Sequence, residues 1–117
     1  MLSALVLRTG TIMFIVKYWS CVYMSLDRIR ADITKLDKEI IHLIALRQNY
    51  AKDIAKIKIA AGIPIHDENR TSEVLESVFE QAVEHKIDPV AVQKIFEILI
   101  TMSEERQREC SGEGNLP

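Results

Sequence analysis

Apolar residues recur at Leu26, Ile29, Ile33, Leu36, Ile40, Leu43, Tyr50, Ile54 and Ile57, with one gap in the series at Arg47. Steps that alternate between three and four are the signature of a heptad seam on one long helix. No Pro or Gly interrupts the pattern before Gly62 and Pro64, which end it in a loop. The seam is long enough to require a partner along its length. Beyond the loop, Asp67 reads as the N-cap of a second helix, with Glu68 favourable in its first turn. Val74, Leu75, Val78, Phe79 and Ala82 form the apolar stripe of that helix, which ends near His85 and Lys86. Asp88 and Pro89 read as the N-cap and first position of a third helix. Its stripe is Val92, Phe96, Leu99 and Ile100, and the same face continues to Ser103 and Gln107. No alternating strand pattern competes, so the expected fold is all-α: one long helix and two shorter ones.

The two ends of the chain read differently. Residues 1–23 are apolar and aromatic, with Arg8 and Lys17 among them. Their uninterrupted apolar stretches are too short for a transmembrane span, and no small-residue cleavage site follows. Met24 stands just before the heptads begin, so 1–23 reads as an N-terminal extension outside the fold; a membrane-associating segment is the alternative. Residues 24–110 are then the helical domain, and 111–117 read as a disordered tail.

Length and charge narrow the function. A chain of 117 residues suggests one domain. With 15 Lys plus Arg against 17 Asp plus Glu, the net charge of −2 argues against a nucleic-acid or anionic-membrane surface. Acids at Asp27, Asp32, Asp37 and Glu39 also break up any basic stripe. Cys21 and Cys110 make neither a disulfide framework nor a zinc motif, which leaves a reduced, cytoplasmic setting as the expectation. There is no Gly-rich phosphate loop and no nucleophile elbow, and His42, His66 and His85 lack ligand spacing. Neither metal nor cofactor is expected.

The unusual feature is a set of polar groups on otherwise apolar faces: Arg30, Arg47, Lys58, Asp67, Arg70, Ser103 and Gln107. Each has an ordinary reading alone. Arg30 and Lys58 can be seam-flanking charges, Arg70 a surface residue, Asp67 a cap, and Ser103 and Gln107 a polar helix end. Arg47 resists this most, because a charge in the seam is costly unless something anionic meets it. Cations dominate the set, which implies a small ligand bearing carboxylates, handled by binding and electrostatic stabilisation. Arg47 and Lys58 lie roughly 16 Å apart on nearly the same face. Arg30 lies roughly 42 Å from Lys58 along the same helix. If all three cations serve one ligand, Arg30 must come from a second chain.

With these residues the chain resembles the all-helical class of chorismate mutases. The matching features run from Ile29-Arg30 and Leu36-Asp37 through Leu43-Ile44-Ala45-Leu46-Arg47 to Ala51, Ile54 and Lys58. They continue with Gly62-Ile63-Pro64-Ile65, Asp67 and Arg70, then Phe96, Ser103 and Gln107. The resemblance implies an intertwined homodimer with shared sites and a Claisen rearrangement of chorismate to prephenate, in phenylalanine and tyrosine synthesis. That reaction is pericyclic and needs no nucleophile, general base or metal. The resemblance further implies that Arg47 binds a substrate carboxylate, that Lys58 and Gln107 hydrogen-bond the ether oxygen, and that Arg30 enters from the partner subunit. Asp67 would position the ring hydroxyl, while Arg70 and Ser103 would order the carboxylate end. At Thr71 the chain departs from the family, which usually has Glu there against the ring hydroxyl; a threonine hydroxyl is shorter and uncharged. Isochorismate-pyruvate lyases share the fold and also lack that Glu, so they stand as an alternative. A non-catalytic docking or regulatory dimer, acting on a partner enzyme of aromatic amino-acid synthesis, is another.

Overall fold

Helix ends decide how this chain is laid out. The computed structural model describes residues 2–112, with side chains described from Ser25 onward. The described residues form α1 (Leu2–Ala61), α2 (Glu68–Glu84) and α3 (Pro89–Ser111), in that order. The first helix thus begins well upstream of Leu26, where the heptad pattern starts. The side chains of 1–24 and the tail residues 113–117 lie outside the described residues, and the expectations placed on them rest there.

Gly62 stops α1 in the left-handed conformation, φ 66°. Its N–H donates to the Ile59 carbonyl at 3.3 Å, and the Ile63 N–H donates to the Lys58 carbonyl at 2.9 Å. These two bonds are a Schellman cap, and the positive φ is why a glycine stands there. The loop that follows leads to Asp67, whose side chain accepts from the Arg70 N–H at 3.0 Å and starts α2. The second helix closes by the same device. The Lys86 N–H donates to Val83 and the Ile87 N–H to Ala82, with Lys86 itself at φ 58°. Asp88 then caps α3 through the Val90 and Ala91 N–H groups, with Pro89 opening the helix. All three caps inferred from the sequence are therefore in place.

The chain divides into two units, Met1–Ile41 and His42–Pro117. In the first, Leu26, Ile29, Ile33, Leu36 and Ile40 are all exposed, so nothing among the described residues covers the seam there. In the second, the core is small: Ala51, Ala55, Val78 and Ala82 are buried, joined by the side chain of Gln107, which is only 4% exposed. Helices α2 and α3 form an antiparallel pair across the short turn at Lys86, and Gln93 Nε2 donates to the Leu75 carbonyl between them at 3.1 Å. Their stripes bury less than the pattern suggests. Phe79 is exposed, and Val92, Phe96, Leu99 and Ile100 are half-buried.

Candidate active site

The polar face of α3 meets the end of α1 inside the His42–Pro117 unit. Lys58 is the last basic residue of α1. Its ammonium donates to Gln107 Oε1 at 2.9 Å and to the Ile65 carbonyl at 2.5 Å. Gln107 is oriented in turn, since its Nε2 donates to Ser103 Oγ one turn earlier at 3.1 Å. An ammonium has three N–H donors. Two are committed to fixed acceptors, which leaves one directed by the other two.

These groups line a cavity of about 220 Å³ together with Arg47, Ile54, Asp67, Arg70, Thr71, Val74, Ile100 and Glu104. That volume lies below the range of drug-sized pockets and suits a small metabolite. The walls combine apolar side chains from each helix with three cations, Arg47, Lys58 and Arg70. Arg47 is half-buried, and its guanidinium lies over the Phe96 ring, 5.9 Å from the centroid. That contact lets a seam cation be held beside apolar surface without an ion pair among the described residues. Arg70 is exposed and loosely paired with Glu73 at 3.4 Å, so a ligand anion can displace that contact. The Asp67 carboxylate is engaged as the α2 cap, and Thr71 follows one turn later.

The structure therefore brings Arg47, Lys58, Asp67, Arg70, Thr71, Ser103 and Gln107 to one cavity. Arg30 is exposed, belongs to the Met1–Ile41 unit, and is not among the lining residues. Two groups were missed in the sequence. Glu104 lines the cavity with its side chain only 17% exposed, and it pairs with His66 at 2.8 Å and with Arg108 at 3.5 Å. His66, noted in the sequence only as lacking ligand spacing, also contacts Glu68 at 2.9 Å. The hydrogen bonds to Glu104 and then Glu68 raise its pKa above the ordinary 6.5. The available signal was Glu104 lying one helical turn before Gln107, on the same face. Among the described residues, no group of three or more His, Cys, Asp or Glu is placed to hold a metal ion, and no helix is long and apolar enough to cross a membrane.

Comparison with known proteins gives the family of the chain. The family model described as chorismate mutase type II matches residues 29–108. The chorismate mutase of Methanocaldococcus jannaschii is 38% identical over 84 residues, which cover 72% of this chain and 85% of the relative. The bifunctional chorismate mutase/prephenate dehydratase of Escherichia coli K12 is 26% identical over 72 residues, 62% of this chain and 19% of that larger protein. The corresponding Aquifex aeolicus protein is 38% identical over 53 residues, 45% of this chain and 15% of its own length.

Proposed function

The chain belongs to the chorismate mutase type II family, and from that premise we propose that it catalyses the rearrangement of chorismate to prephenate in the cavity between α1, α2 and α3. One observation carries the site assignment: a lysine whose ammonium is already fixed by two acceptors, with its third donor uncommitted, beside two arginines. In the reaction the ether C–O bond breaks as a C–C bond forms, with no atom gained or lost. Negative charge builds on the ether oxygen as that bond lengthens. A preset N–H donor at that oxygen favours the transition state over the ground state. In this reading Lys58 supplies that donor and Gln107 supports it. Arg47 takes one substrate carboxylate, and Arg70 and Ser103 order the other end. Asp67 and Thr71 position the ring hydroxyl. The helices also fold the substrate into its reactive conformer, since a unimolecular rearrangement gains directly from lost conformational freedom.

We further propose a homodimer in which the exposed seam of one chain pairs with that of its partner, and the partner subunit's Arg30 completes the carboxylate site. The support is the row of exposed apolar residues from Leu26 to Ile40 and the distance of Arg30 from Lys58, roughly 42 Å along an ideal helix. The names of the bifunctional relatives, which join a chorismate mutase to a prephenate dehydratase, support a partner enzyme that consumes prephenate.

The test is an assay of the purified chain with chorismate and, separately, isochorismate, with products identified. Prephenate from chorismate is the expected result. Pyruvate and salicylate from isochorismate, with little prephenate, would transfer the chain to the lyase reaction that Thr71 also fits. For the shared site, mixing Arg30→Ala with Arg47→Ala should restore activity, because one heterodimer site carries neither substitution. Confirmed subunit exchange without recovery contradicts it.

A further inference from the structure

His66 stands immediately before the α2 cap, on the loop that joins α1 to α2. Its Nδ1 is 2.8 Å from Glu104 Oε1 and its Nε2 is 2.9 Å from Glu68 Oε2. Ionised carboxylates accept hydrogen bonds and donate none. A neutral imidazole has one N–H and can serve one carboxylate; both contacts together require the imidazolium. The raised pKa of His66 agrees with that geometry.

The neighbouring peptide gives the contact its reach. The carbonyl of Ile65, which accepts from the Lys58 ammonium, belongs to the Ile65–His66 peptide bond. The contacts form a closed circuit. Glu104 on α3 holds His66, the adjoining Ile65 carbonyl holds Lys58, and Lys58 returns to Gln107 on α3, one turn from Glu104. We propose that His66, protonated and held between Glu68 and Glu104, is a positioning residue: it pins the α1–α2 loop so that the Ile65 carbonyl keeps the Lys58 ammonium in register with Gln107. The proposal rests on the role given to Lys58 above. His66 is not among the cavity-lining residues and acts only through the loop.

The charged groups around His66 define what deprotonation does. On α2 and its cap are Glu68 and Asp67, on α3 are Glu104 and Arg108, and on α1 is Lys58. Arg108 stays with Glu104 when His66 loses its proton, so the carboxylate keeps a partner. The loop does not: its single remaining N–H serves α2 or α3, and the other tie is lost.

The test uses the full chain and three readouts. Wild type, His66→Gln and Glu104→Gln are assayed with chorismate from about pH 5.5 to about pH 9, a range that brackets the ordinary histidine value. His66 is titrated by NMR in the same samples, and thermal melts verify folding. Wild-type kcat should fall roughly tenfold as His66 loses its proton, the scale of a small misplacement of a reacting group. His66→Gln should hold the high-pH rate throughout, because a glutamine amide serves one carboxylate. Glu104→Gln should move the midpoint down, since Glu104 is the largest cause of the raised pKa. Turnover with a flat profile while the NMR signal of His66 titrates overturns the proposal. So does a folded His66→Gln protein with the wild-type low-pH rate. No chorismate turnover at any pH instead overturns the reading on which it rests.

Discussion

At the residue scale, the proposed function gives Lys58 the largest part. Lys58→Ala should cost about a hundred- to a thousandfold in kcat, the effect of removing one preset donor to a developing oxyanion, with helix content preserved by circular dichroism. Near-native turnover would exclude Lys58 from the chemistry. Arg47→Ala should also weaken turnover, but with a larger share in KM, since in the proposed reading it binds a carboxylate that is charged in substrate and transition state alike. The contrast between these residues was partly legible in the sequence. Arg47 was legible because a charge at an apolar seam position needs a reason, and Lys58, Ser103 and Gln107 because 3.6-residue periodicity sets them along otherwise apolar faces. His66 and Glu104 were not. Their importance comes from a contact between a loop and a helix thirty-eight positions on, which no local pattern encodes.

At the element scale, the helix ends were the most legible part of the fold, because each cap is a local interaction of a few residues. Asp67→Ala and Asp88→Ala should each lower stability by about 1 kcal/mol, measured by denaturant unfolding. Asp67→Ala should disturb activity as well, since α2 begins at the cavity. Lys86 holds a left-handed conformation that costs a side-chain-bearing residue. Lys86→Gly should therefore stabilise by roughly 1 kcal/mol and leave kcat unchanged, as the turn lies at the far end of α2. No change or a loss would show that the unfolded-state entropy of glycine outweighs the relief. The His66 clamp has its own stability signature. Its pKa is raised in the fold, so its contribution is fully present below the ordinary 6.5 and fades as pH rises through the folded value. The burial of each stripe was less legible. Amphipathic spacing marks the face of a helix that wants cover, but how much cover arrives depends on every neighbour, and Phe79 on α2 receives little.

At the scale of the molecule, the decisive features are the exposed apolar row from Leu26 to Ile40 in one unit and the few buried residues of the other. In the proposed dimer that row is where most of the chain's stability is gained. Ile33→Glu combined with Ile40→Glu should shift the sedimentation coefficient toward that of a single chain and abolish turnover with it. Persistence of a dimer would place the interface elsewhere. The same row has a consequence for rate measurements. Where two chains must meet before either can work, velocity at fixed substrate rises faster than in proportion to enzyme at high dilution, and specific activity becomes a function of the stock concentration. A rearrangement that is unimolecular in substrate would then show an apparent kinetic order in protein above one, and the decline in rate after dilution would measure how quickly two seams part.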